Sequence, residues 1–201
     1  MKARKYDRRF FTRGISPKLY SIKESNNIKK PHLQYYGNSL TMIERNIAVQ
    51  QMEYLLDNFR DAKEYGSIMN IKALNWNLLK QFVENYNVNG QMSIESSNAG
   101  QSQSLLFNIV TIAEIIAQKY DVVITNPPYM KASSMNEKLA DYVKKNYMMS
   151  KYDMFAVFIE KANLLTKING YYSLITQPSL ITLSSCEDLR VNMINTGVIE
   201  N

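Results

Sequence analysis

The residues of this 201-residue sequence whose types and spacing point to chemistry are Asn126, Pro127, Pro128 and Tyr129. They put an amide, two stiff prolines and an aromatic ring on one short corner. Each proline fixes φ and removes an N–H donor, so the oxygens of the corner are pre-aimed. The run before it, Asp121-Val122-Val123-Ile124, is β-branched, too short for a helix and cut off by the prolines. That pattern predicts a buried parallel strand. In open α/β sheets ligands bind just outside the carboxyl ends of the strands, which is where this corner falls. The structural alternative is an ordinary proline-stiffened turn begun by Asn126, with Tyr129 merely packing. It requires a coincidence of four fixed residues, found about once in a thousand chains of this length at average residue usage.

Asn-Pro-Pro-Tyr after an apolar strand resembles the catalytic motif of S-adenosylmethionine-dependent amino-methyltransferases, foremost those that methylate N6 of adenine in DNA. An amino group conjugated to a purine ring is a poor nucleophile. Two acceptors holding its hydrogens draw the nitrogen toward a tetrahedral shape, with its lone pair aimed at a methyl sulfonium. The resemblance implies that these acceptors are the Asn126 side-chain oxygen and the Pro127 carbonyl, stiffened by Pro128, and that Tyr129 stacks on the base. A base inside a duplex is out of reach of such a corner, so it has to be flipped out.

Residues 153–162, Asp-Met-Phe-Ala-Val-Phe-Ile-Glu-Lys-Ala, resemble the Asp/Asn-x-Tyr/Phe-x-x-Phe-hydrophobic-Glu helix of the same family. Helical spacing places Phe155, Phe158, Ile159 and Ala162 on one face, so both phenylalanines can line one pocket wall. The resemblance implies that Phe158 packs on the adenine of the cofactor and that Asp153 lies at the cofactor edge. The residues also fit a capping box of Ser150 and Asp153, with two core phenylalanines.

Residues 1–11, Met-Lys-Ala-Arg-Lys-Tyr-Asp-Arg-Arg-Phe-Phe, resemble an internal stretch of the large PglX-type adenine methyltransferases of BREX phage-defence systems, related to type IIG restriction-modification methylases. There the stretch continues a helix that follows the cofactor-binding half of the sheet. The resemblance therefore implies an α/β, doubly wound (Rossmann-like) methyltransferase fold truncated at both ends, with Met1 an internal methionine. Only seven glycines are present and no Phe-x-Gly-x-Gly turn occurs, so the isolated chain is expected to be inactive. Implied with the fold are S-adenosylmethionine as cofactor, double-stranded DNA as partner, other defence-system subunits as further partners, and adenine-N6 methylation in phage defence or restriction-modification. Three other readings fit the same residues: an amino-methyltransferase acting on a protein glutamine or on ribosomal RNA, a methyltransferase linked to a nuclease, and a non-catalytic DNA-binding or assembly remnant.

The composition is compatible with this. At 45% hydrophobic and 21% charged residues, a chain of this length can bury a core. No apolar run approaches eighteen residues, so no membrane span is predicted. The lone Cys186 and lone His32 exclude an internal disulfide and a Cys/His metal cluster, so no metal is expected. Without an apolar secretory segment, a cytoplasmic location is expected. The net charge of +6 is uneven: residues 1–30 hold ten of the 24 Lys and Arg against Asp7 and Glu24. That segment reads as a solvated helix face or as a phosphate-contacting arm.

The elements that must position these residues divide into three stretches. Residues 1–39 are a basic N-terminal helix and loop, with Ser39 a helix cap and His32 structural or surface. Residues 40–104 are helical: Leu40, Ile43, Ile47, Met52, Leu55, Leu56 and Phe59 predict an amphipathic helix ending near Gly66 as its C′ residue. Leu74, Leu78, Leu79, Phe82 and Val83 predict a second, and residues 87–104 a polar linker. Residues 105–201 are the catalytic part: a helix over 105–116, the strand and corner, a Lys/Ala/Ser loop, a helix over 137–147 with Leu139, Tyr142 and Val143 inward, the helix from Asp153 ended by Asn169-Gly170, and a strand over 171–176. Gln177-Pro178-Ser179 follows that strand as Asn126-Pro127 follows the first. A final helix capped by residues 185–188, with Leu189, Met193 and Ile194 inward, stops at Gly197, and Val198 begins an apolar run.

Overall fold

The computed structural model describes residues 17–86 and 94–197. The basic segment 1–16, residues 87–93 of the polar stretch and the run from Val198 lie outside the described residues, as do the expectations placed on them.

Helix α1 spans Met42–Asn58. Its cap is Thr41, not Ser39: the Thr41 hydroxyl accepts from the Glu44 N–H while the Glu44 carboxylate accepts from the Thr41 N–H, a reciprocal box that outcompetes a serine two residues earlier. The predicted apolar stripe is core only in its second half. Met52, Leu55, Leu56 and Phe59 are buried, whereas Ile43 and Ile47 face solvent. The helix also ends before Gly66, because Asp61 takes a left-handed conformation, φ 54°. Tertiary contacts hold it there: its N–H donates to Asn26 Oδ1 and its carboxylate accepts from Asn26 and from Lys138. One further turn, α2 (Ala62–Tyr65), follows, and Gly66 at φ 57° ends it.

Helix α3 (Trp76–Glu84) is capped by Asn75 and buries Leu78, Leu79, Phe82 and Val83, as their spacing predicts. Gly37, at φ 71°, closes its far end: the Gly37 N–H donates to the carbonyls of Phe82 and Asn85, and a Cβ there would stand 2.5 Å from the Phe82 ring. Helix α4 runs Ile94–Ala117, so the polar residues 94–104 are its opening turns rather than a linker. Gln103 ties this helix to the one before it: its Nε2 donates to the Val83 carbonyl at 2.9 Å, and that contact satisfies an end of α3. Together α1, α3, α4 and a 3₁₀ turn at Lys30–Tyr35 enclose the larger core, around Leu33, Tyr36, Met52, Phe59, Leu79, Phe82, Leu106 and Ile109. His32 lies in that 3₁₀ turn; its Nδ1 is enclosed and has no hydrogen-bond partner among the described residues.

The chain then forms β1 (Tyr120–Thr125), α5 (Glu137–Asn146), α6 (Met154–Leu165) and β2 (Thr166–Leu174). The two strands are parallel, with Val123 opposite Tyr172 and Thr125 opposite Leu174. This is the predicted βαβ crossover, and the fold is mixed α/β around a small parallel sheet. Two local predictions fail. Strand β2 starts at Thr166 rather than at residue 171, and Asn169-Gly170 is an irregularity inside it rather than a helix end. Asn169, at φ 64°, supplies the left-handed residue. Gly170 lets the strands approach, since a Cβ there would meet the Asp121 carbonyl oxygen at 2.8 Å.

β1 is also not buried on both sides. Val123 and Tyr172 turn toward the helices, but Ile124 is 77% exposed and Tyr171 61%. The β-branched run looked doubly buried because apolar residues occupy both faces; only one face is covered among the described residues.

Helix α6 is buried on nearly every side, which marks a central helix. On one side Met154 and Val157 pack with Ile68, Leu139, Val143 and Tyr147; on the other Phe155, Ala156 and Ile159 pack with Cys186 and Leu189. A one-turn helix α7 (Ser179–Thr182) and helix α8 (Glu187–Thr196) close that second side. The cap of α8 is Cys186, without a side-chain hydrogen bond, and Ile194 is exposed rather than inward, while Leu189 is buried as predicted.

Candidate functional site

The corner stands where the strand pattern puts it, directly after the last residue of β1. Pro127 is buried and anchors the turn, while Asn126, Pro128 and Tyr129 face solvent. The Asn126 side chain makes no hydrogen bond to any described residue, which leaves its oxygen available as an acceptor. Tyr129 is 51% exposed, and its hydroxyl donates to the Ile175 carbonyl at 3.1 Å. The ring is thereby tethered at its polar tip while much of its surface remains open.

The loop after the corner is stitched to the start of α6. The Met154 N–H donates to the Met130 carbonyl at 2.9 Å and the Ala132 N–H to the Tyr152 carbonyl at 3.0 Å, forming an antiparallel bridge between Lys131 and Asp153. Asp153 thus lies next to the corner through backbone pairing alone. Its carboxylate is the N-cap of α6, where Oδ1 accepts from the Phe155 N–H at 3.3 Å. Ser150 takes no part in that cap: it is buried and donates to Glu160 at 2.6 Å. One carboxylate oxygen of Asp153 stays unused in capping, so it is free for a second role.

The two phenylalanines of α6 do not share one wall. Phe155 is fully buried against Cys186 and Leu189, whereas Phe158 is half-buried on the other side, against the Ile68, Leu139 and Tyr147 cluster. At 100° per residue they sit 60° apart, enough for neighbouring elements to separate them. Phe158 retains accessible ring surface and Phe155 does not.

Lys161 was not anticipated. It is 5% exposed, and its Nζ donates to the Met69 carbonyl at 2.7 Å and to Asn70 Oδ1 at 3.0 Å. Asn70 Oδ1 also accepts from the Tyr147 hydroxyl, and the Asn70 N–H donates to the Tyr142 hydroxyl. Burial, with Lys119 adding a like charge, pulls Lys161 down to about 8. Burial likewise raises the Tyr142 and Tyr147 phenols. The network ties the stretch around Met69 to the helix that carries Asp153 and Phe158. Its signal was a lysine inside a largely apolar helical run, with no acid three or four residues away.

The strand end thus carries an amide without a hydrogen bond to any described residue and an open aromatic ring, with Asp153 bridged to the loop that follows them. Residues 21–201 match the family of the Eco57I restriction-modification methylase, and the chain belongs to that family. It is 30% identical over 201 residues to adenine-specific methyltransferase PglX of Lacticaseibacillus casei (strain Zhang), covering 99% of this chain and 16% of that protein. It is 32% identical over 208 residues to adenine-specific methyltransferase BrxX of Escherichia coli O9:H4 (strain HS), covering 94% and 17%. The type II methyltransferase M.HincII of Haemophilus influenzae is 29% identical over 104 residues, 49% of this chain and 21% of that protein. The chain thus spans about a sixth of the length of PglX and BrxX. The resemblance read from the Asn-Pro-Pro-Tyr corner and from residues 1–11 is borne out. No helix among the described residues is long and apolar enough to cross a membrane.

Proposed function

We propose that this chain carries the base-binding corner of a site-specific DNA adenine-N6 methyltransferase of phage defence or restriction-modification, built on a doubly wound sheet and working on double-stranded DNA in the cytoplasm with other defence-system subunits. The observation that carries the reading is the uncommitted Asn126 amide at the end of β1, beside an open Tyr129 ring. S-adenosylmethionine supplies the methyl group as a sulfonium. Asn126 Oδ1 and the Pro127 carbonyl accept the two hydrogens of the adenine amino group, which frees the nitrogen lone pair from the ring. Pro127 and Pro128 hold those acceptors without reorganisation, and Tyr129 stacks on the flipped base. When the amino nitrogen takes up the methyl group, its surplus proton would leave along the hydrogen bond to Asn126 toward solvent. The half-buried Phe158 ring and the spare Asp153 oxygen fit the adenine and an edge hydroxyl of the cofactor.

No Phe-x-Gly-x-Gly turn is present in the 201 residues, so the isolated chain is proposed to bind a base without methylating it. The test is labelling with radioactive S-adenosylmethionine. The isolated chain should leave DNA unlabelled, and the chain exchanged for the matching residues of the Lacticaseibacillus casei relative should label adenine N6. Labelling of a protein glutamine or of ribosomal RNA instead of DNA would move the substrate, and labelling by the isolated chain would refute its inactivity.

A further inference from the structure

Two segments leave the sheet side by side. Thr125 pairs with Leu174 at the last rung of the parallel ladder, and neighbouring strands lie about 4.8 Å apart. Asn126-Pro127-Pro128 and Ile175-Thr176-Gln177-Pro178 therefore run on as adjacent turns, tied by the Tyr129 hydroxyl on the Ile175 carbonyl. Gln177 is half-buried, and the Ser179 hydroxyl donates to its Oε1 at 3.3 Å. That contact engages the amide acceptor. Its Nε2 keeps two N–H donors without a partner among the described residues, the converse of the acceptor that Asn126 offers.

We infer that Gln177 is a specificity-determining residue of the same site, its Nε2–H donating to a ring nitrogen on the amino group's edge of the base while Asn126 and Pro127 accept from the amino group. The inference rests on the reading of the corner as a base-binding site. Adenine offers an amino donor flanked by the acceptors N1 and N7, which an acceptor pair beside a donor matches. A 6-oxopurine sets its oxygen against the two acceptors of the corner and, where N1 is the atom read, its N1–H against the Gln177 donor.

The test is a titration of the ¹⁵N-labelled 201-residue chain with adenosine, 1-deazaadenosine, 7-deazaadenosine and inosine, following the side-chain amide signals of Asn126 and Gln177. Each signal is assigned by its loss in Asn126→Ala or Gln177→Leu. Adenosine should shift both signals, one deaza analogue should shift Asn126 alone, and inosine should shift neither. Gln177→Glu, which keeps the shape and removes the donor, should weaken adenosine binding about tenfold. If adenosine shifts Asn126 and leaves Gln177 unmoved, the assignment of Gln177 is overturned while the base-binding reading stands. If neither signal moves, both fall. If both deaza analogues shift Gln177 as adenosine does, no ring nitrogen is being read and the inference is overturned.

Discussion

The Tyr129 hydroxyl donates to the Ile175 carbonyl at 3.1 Å, joining the segments that follow two parallel strands. The bond fixes the ring at its tip, so the aromatic face is aimed by the sheet rather than by the loop. Tyr129→Phe keeps the ring and loses the tether. Its hydrogen bond is solvent-accessible, so the stability cost should sit near the lower end of about 0.5–1.5 kcal/mol in urea unfolding. Tyr129→Ala also removes the stacking face and should weaken adenosine binding by about 1–3 kcal/mol in calorimetry. Equal affinities for the two variants would mean that Tyr129 does not stack.

Gly170 sets how closely β2 approaches β1. A Cβ there would lie 2.8 Å from both the Asp121 carbonyl oxygen and Thr166 Cγ2, and 3.1 Å from the Lys167 carbonyl oxygen. Two of these are backbone atoms and cannot swing away. Gly170→Ala should therefore cost about 1–3 kcal/mol, read as a lower urea midpoint. Asn169→Gly, which only relieves a left-handed residue, should be nearly neutral.

The corner and helix α3 were legible because their signals are local. Two prolines after a β-branched run fix a strand end whatever surrounds them, and Leu78, Leu79, Phe82 and Val83 carry a helical period that burial then follows. What was misread depends on contacts distant in sequence. Gln103 docks the polar opening of α4 on carbonyls about twenty residues back, and Asn26 and Lys138 hold the left-handed Asp61 that ends α1 early. Asn169-Gly170 carries the signature of a helix end, but left-handed residues also make strand irregularities, and only pairing with β1 decides between them. Lys161 gave no local clue to its partners, which lie more than ninety residues away.

Lys161 makes stability depend on pH in a definite direction. Its folded value, about 8, is below the usual 10.5, so between those values the unfolded chain holds more protons than the folded one. Stability from this group therefore rises as pH increases from about 8 toward 10.5. Lys161→Met should remove that rise, measured as urea midpoints from pH 7.5 to 10 for both proteins. An identical pH profile for the variant would show that Lys161 is not the group responsible.

Asn126 is proposed to act on the amino group and not on the cofactor. The most direct measurement compares Asn126→Ala with the unsubstituted residue in an active enzyme carrying this chain, reading kcat for DNA methylation beside the dissociation constant of S-adenosylmethionine. In Asn126→Ala, kcat should fall by about 10²-fold or more, as when a transition-state hydrogen-bond partner is removed, while cofactor affinity stays within about twofold. A collapse of cofactor affinity with kcat preserved at saturation would contradict it and place Asn126 in the cofactor site instead.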